Sequence, residues 1–185
     1  MKKVFFDTEF TGLYQNTSLI SIGCISEDGN TFYATLKDFR YEYVDKWVED
    51  NVLGNLKYHK DDCDFAVIDE TNTKGERSER YYNITSEKCK DLLLEWLQRF
   101  NDDVVMWSDC LAYDWVLFCN LFGGAMEVPS FINYIPRDIC TFFEIKGIDP
   151  DIDRVEYAGI KEVKHNALSD AILIKACYDK LTTDP

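Results

Sequence analysis

The order in which apolar runs follow one another constrains the fold of this chain most. Lys3–Phe6 is a short, β-prone run, and Leu19–Ile25 reads as a buried strand. Glu27-Asp28-Gly29-Asn30 signals a turn before Thr31–Leu36, so the chain opens with a hairpin pattern. A different period follows. Cys89, Leu92, Leu93, Trp96, Leu97 and Phe100 form one helical stripe, with Thr85 or Ser86 placed to cap it. Val104–Trp107 is a short buried strand, and Tyr113–Phe122 is helical and stopped by Gly123-Gly124. Pro136-Arg137-Asp138-Ile139 starts another short strand or helix, and residues 147–164 read as irregular. Asn166–Leu181 is the last helix, with Ala167, Ala171, Ile174 and Tyr178 on one stripe. Strands first, then helix–strand–helix units, predict an α/β chain: a mixed sheet flanked by helices.

Two segments fit this scheme less directly. Val44, Trp47, Val48 and Val52 recur near helical spacing, which predicts a helix over Tyr43–Leu53. Residues 60–80 are polar and weakly patterned, and read as a solvated insertion, with a substrate-side flap as the other reading. The 185 residues suit one domain, and 46% hydrophobic and 15% aromatic content suffices for an ordinary core. No apolar run approaches the roughly 20 residues needed to cross a bilayer, so no membrane partner is expected. The N-terminus meets Asp7 too early for a signal peptide. Seven dispersed cysteines without a C-x-x-C, and only two histidines, argue against zinc. They read as free, buried thiols, which places the chain in a reducing cytoplasm.

Asp7-Thr8-Glu9 follows the first apolar run. Side chains at i and i+2 of an extended chain point to one side, so the two carboxylates project together and repel unless a cation or a shared proton lies between them. Asp114 sits inside Tyr-Asp-Trp-Val-Leu-Phe, where an acid must be paired, ligate a metal or face a cleft. A helix cap is the plainer reading, and Asp109 nearby is its competitor. His165-Asn166-Ala167-Leu168-Ser169-Asp170-Ala171 carries a histidine that can approach Asp170 only from the loop before the helix. His59 and Asp64 share that spacing, but in a polar segment without an apolar stripe they read as surface residues.

Together these motifs resemble the DEDDh (DnaQ-like) 3′–5′ exonuclease superfamily, on an RNase H-like fold. Asp7 and Glu9 match its first motif, Asp114 the core of its second, and His165 with Asp170 its third. The tyrosine-using branch has Tyr four residues before the last Asp; Asn166 stands there, so the histidine branch fits. Its compact size and the Phe5–Gly12 and Ile20–Gly23 runs resemble small bacterial and phage 3′–5′ exoribonucleases more than polymerase proofreading subunits. One departure is Cys110, where the second motif usually carries Asn.

The resemblance implies two Mg²⁺ or Mn²⁺ ions held by Asp7, Glu9, Asp114 and Asp170, with His165 as the base. It implies single-stranded RNA as substrate and a nucleoside 5′-monophosphate as product. Phe10, Thr11, Gly12, Leu13 and Tyr113 are expected beside the terminal nucleotide, and Trp115 in the core. Arg137, Lys161 and Lys164 are candidate phosphate contacts. A homodimer is the assembly suggested by the same likeness. The formal charge of −14 opposes broad electrostatic binding to long duplexes but allows a short end gripped through cations. A DNA exonuclease of the same fold and an idle nucleic-acid-binding module are the alternatives.

Overall fold

The computed structural model describes residues 1–56, 66–160 and 165–183. Seven strands make one mixed sheet in the order β4-β5-β3-β2-β1-β6-β7. They are β1 (Lys2–Phe10), β2 (Leu19–Ser26), β3 (Thr31–Leu36), β4 (Ala66–Thr71), β5 (Arg77–Ile84), β6 (Val104–Ser108) and β7 (Arg137–Asp138). β1, β2 and β3 run antiparallel in succession, while β6 pairs parallel to β1 and β7 parallel to β6. Helices cover both faces, giving the expected α/β fold of the RNase H-like kind.

The central position of β1 follows from its sequence. Val4 and Phe6 point to one face, where they join a core built with α2 (Ser86–Gln98) and α3 (Ala112–Leu121). Phe5 points to the other, toward α4 (Ile139–Ile145) and α6 (Ala167–Thr183). A strand apolar on both faces belongs in the middle of a covered sheet. Pairing with β2 extends the strand beyond its apolar run: Asp7 lies opposite Gly23 and Glu9 opposite Ser21. The acidic motif is therefore the end of the strand itself, not a loop after it.

The first turn of α6 rests directly on β2 at Gly23. A Cβ there would collide with the backbone of Ala167 and Leu168. Ala167 and Ala171 are fully buried, so small side chains on the helix complete the close approach.

Three expectations are corrected. The insertion over residues 60–80 is, from residue 66, the β4–β5 hairpin, which lengthens the sheet beyond β3. Its polarity hid it, because an edge hairpin can be held by backbone pairing and ion pairs. Buried Glu79 accepts from Tyr81 Oη at 2.7 Å and pairs with Arg77 and with Arg99, just past α2. The helix over Tyr43–Leu53 is broken into a 3₁₀ turn (Tyr41–Tyr43), the short α1 (Lys46–Val48) and a π turn (Glu49–Leu53). Asp45 starts α1 afresh by capping Val48 N at 2.8 Å. Residues 147–164 contain α5 (Arg154–Ala158), capped by Asp153. His59, Cys63, Asp64, Lys161 and Lys164 lie outside the described residues.

Replacing Gly23 by Ala forces α6 off the sheet. We expect urea unfolding to show a loss of about 1–3 kcal/mol, the usual cost of overpacking; an unchanged midpoint would contradict this packing.

Candidate active site

Asp7 and Glu9 leave the same face of β1, the face covered by α6. Asp170, in the first turn of α6, comes down on them. Carboxylate oxygens of Asp7, Glu9 and Asp170 lie within 4.8 Å of one another. Asn166 prepares that turn: its Oδ1 accepts from Ser169 N at 3.2 Å, and its backbone N donates to Asp170 Oδ2 at 3.2 Å. Tyr33 of β3 holds the Asn166 amide at 3.3 Å. His165 stands just before the helix with φ of 59°, a left-handed conformation uncommon for a non-glycine residue. Its ring meets Trp47 edge-on, with centroids 5.0 Å apart.

Asp114 enters from the opposite side of β1. Buried in the first turn of α3, it accepts from Thr8 N at 3.1 Å, from Thr8 Oγ1, and from Ser108 Oγ at 3.0 Å. It lines the same cleft but stands outside the group of three. Asp109, its sequence competitor, also lines the cleft. Arg154 engages both Asp109 oxygens, at 2.8 and 3.0 Å.

The cleft holds about 570 Å³. Phe10, Gly12, Leu13 and Tyr113 line it, and the Phe10 and Tyr113 rings stack with centroids 5.5 Å apart. Leu13 is largely exposed. Thr11 departs from expectation: it is buried, and its hydroxyl is taken up by Tyr14 Oη at 2.9 Å and Ser18 N at 3.0 Å. It builds the turn rather than the cleft wall. Trp115 stacks on Phe118 in the core. Arg137 donates to Ile135 O and is not a lining residue. Sequence reasoning missed Asp45, Trp47 and Cys110 as cleft residues. Trp47 fits an apolar helical stripe by spacing, yet it is more than half exposed.

Electrostatics make the acid cluster costly by itself. Burial raises Asp7 well above the usual carboxylate range, and the charges of Asp114, Asp170, Glu9 and Asp109 add to it. Burial, then Asp170 and Asp114, pushes Glu9 up to about 8. Asp114 is raised by burial against the opposing hydrogen bonds from Thr8 and Ser108. Among the described residues lining the cleft are six carboxylates and no Lys or Arg. Arg154 answers Asp109 from outside the lining, whereas the part-buried oxygens of Asp7, Glu9 and Asp170 face no Lys or Arg among the described lining residues, a setting that suits a hard divalent ion.

A family model described as the 3′-5′ exoribonuclease Rv2179c-like domain matches residues 2–181. Two curated proteins of Mycobacterium tuberculosis are similar: 3′-5′ exoribonuclease Rv2179c of strain H37Rv and 3′-5′ exoribonuclease MT2234.1 of strain CDC 1551. Each is 27% identical over 145 residues, which cover 78% of this chain and 76% of the relative.

The raised carboxylates fix a pH dependence. The ordinary value for Glu9 is 4.5, and here it is about 8. Between those values the folded chain keeps a proton that the unfolded chain has released, so stability falls as pH rises. Metal-free protein should show a lower Tm at about pH 8 than at about pH 5, and Glu9→Gln should flatten the difference. Thermal melts across this window check it; a rising Tm would refute the assignment.

Proposed function

The chain belongs to the Rv2179c-like 3′–5′ exoribonuclease family, and we propose that it removes nucleotides one at a time from the 3′ end of single-stranded RNA, using two divalent cations. The observation that carries this reading is the convergence of Asp7, Glu9 and Asp170 within 4.8 Å, in a cleft without a described Lys or Arg. Such a cleft repels a phosphodiester unless cations stand between.

In this reading Asp7, Glu9 and Asp170 hold the ions, and Asp114 completes the set. Mg²⁺ or Mn²⁺ there would supply acidification of a water and charge neutralisation at the leaving 3′ oxygen. The chain's own groups do the rest. His165 takes the proton of the attacking water on an imidazole nitrogen, as histidine is suited to do near neutral pH. Trp47 meets the imidazole edge-on, a contact that favours this ring orientation. Thr8 and Ser108 fix the Asp114 carboxylate through three hydrogen bonds, so it meets its ligand without reorganising. Phe10 and Tyr113 offer ring surface to the terminal base, Leu13 offers apolar cover, and Gly12 leaves the backbone open to the sugar. The products are a nucleoside 5′-monophosphate and an RNA shorter by one residue.

The decisive experiment is a ladder assay on 5′-labelled RNA and DNA oligomers, with Mn²⁺ or with EDTA. RNA should shorten stepwise from its 3′ end, faster than DNA, and EDTA should stop it. Asp7→Asn should abolish digestion while leaving circular dichroism unchanged; full activity in that variant would end the two-metal reading. Equal rates on DNA would replace RNA by nucleic acid in general. Binding without any turnover would point to an idle module. His165→Ala should lower the rate by about 10²–10⁴-fold with little change in Mn²⁺ affinity. Calorimetric Mn²⁺ titration beside single-turnover rates separates those two effects.

A further inference from the structure

Two cysteines distant in sequence meet at the rim of the cleft. Cys110, in the β6–α3 loop, lies with its Sγ 3.4 Å from Sγ of Cys140, in the first turn of α4. Cys110 is exposed and Cys140 half-buried, whereas Cys24, Cys89, Cys119 and Cys177 are buried. The expectation of uniformly buried thiols therefore fails for this pair. Cys140 Sγ also donates to Asp109 Oδ1 at 2.9 Å, and Arg154 Nη2 lies 3.3 Å from the same sulfur.

The ligand atoms of Asp109, Cys110 and Cys140 lie within 4.8 Å of one another, close enough to invite a soft metal. Arg154 argues against one. Its guanidinium already engages both oxygens of Asp109 and faces the Cys140 sulfur, so an incoming cation would have to displace an ion pair. Arg154 instead stands where it can stabilise a Cys140 thiolate once the proton held toward Asp109 has left.

We propose that Cys110 and Cys140 form a redox-modification site, oxidised by low-molecular-weight disulfides to an intramolecular disulfide that slows digestion in the adjoining cleft. The exposed Cys110 attacks first, as its thiolate. It forms a bond to one sulfur of the small disulfide and expels the other as a thiolate. The Cys140 proton passes along its hydrogen bond to Asp109 and on to solvent. The Cys140 thiolate, held by Arg154, then attacks the Cys110 sulfur and expels the second small thiolate. Two protein thiols are oxidised, one small disulfide is reduced to two thiols, and the two protons end on those products. Burial and Asp109 hold the Cys140 thiol up, in keeping with its acting second.

Closing the bond requires the sulfurs to approach by about 1.4 Å, from 3.4 Å to the covalent length. Cys110, the exposed partner, has the room to move in that step. It has φ of 50°, a left-handed turn that Ala112 N closes on Cys110 O at 2.7 Å. This turn leads into α3, whose first turn carries Tyr113 and Asp114. Pulling Cys110 toward α4 therefore shifts the cleft wall beside a ligand. Displacements near 1 Å at such positions can slow an enzyme by orders of magnitude.

The effect on digestion rests on the nuclease reading above, whereas bond formation does not. The test treats the full-length protein with oxidised glutathione, maps its peptides without reduction, and measures RNA digestion before and after dithiothreitol. A Cys110–Cys140 linked peptide is expected, with digestion about tenfold slower and restored by dithiothreitol. Cys140→Ser should digest RNA normally when reduced, and under the oxidant it should stop at the Cys110 mixed disulfide with no linked peptide. Absence of the linked peptide, or a linked protein that digests RNA as fast as the dithiothreitol-treated protein, overturns the proposal. If the reduced protein digests neither RNA nor DNA, the nuclease reading and the slowing that rests on it both fail; the peptide map still decides whether the bond forms.

Discussion

The bare backbone of Gly23 under the first turn of α6 sets the distance on which the site depends. β2 pairs with β1 so that Gly23 lies beside Asp7. Any side chain at Gly23 would meet the backbone at Ala167 and Leu168. Without one, the helix settles directly on the sheet, and Asp170, two residues after Leu168, reaches the face that carries Asp7 and Glu9. The same settling brings His165 to the cleft and lets Asn166 reach Tyr33. Helix packing and assembly of the acid cluster are one event, because the cluster residues sit within a few positions of the contact.

A cluster placed this way opposes its own folding. Three carboxylates are crowded together, and a fourth, Asp114, adds its charge while bound to Thr8 and Ser108. The cores on both faces of the sheet must outweigh that repulsion, and each fully buried large apolar side chain contributes roughly 1.5–3 kcal/mol. Phe5 and Phe6, both fully buried just before Asp7, hold the strand on opposite sides. The overall charge of −14 belongs to the same picture. Under the proposed chemistry the phosphates are met by ions within the cleft rather than by a basic surface, so an acidic exterior is no obstacle to a short RNA end.

Local patterns were legible wherever one residue's neighbours decide its state. Thr85 caps α2 as its sequence suggests, and Ala167 and Ala171 lie on the buried stripe of α6. Patterns failed where partners are remote. The β4–β5 hairpin is held by pairing to β3 and by Glu79 with Arg99, none of it visible in a polar stretch read alone. Thr11 follows the acidic motif in a stretch expected to face substrate, yet its hydroxyl serves the turn through Tyr14 and Ser18. Trp47 fits an apolar stripe by spacing, but Asp45 restarts the helix just before it and leaves the indole beside His165.

The sequence alone determined the elements and the candidate residues: an apolar strand ending in Asp7 and Glu9, a helix beginning near Asp170, and a histidine just before it. These are matters of period and adjacency, which the geometry of the backbone enforces over a few residues. Only the tertiary structure decided which acids meet. Asp114 bonds to Thr8 across 106 positions, Arg154 engages Asp109 across 45, and Cys110 meets Cys140 across 30. Such meetings follow from how sheet register and helix packing bring separate elements together, and no local pattern carries that information.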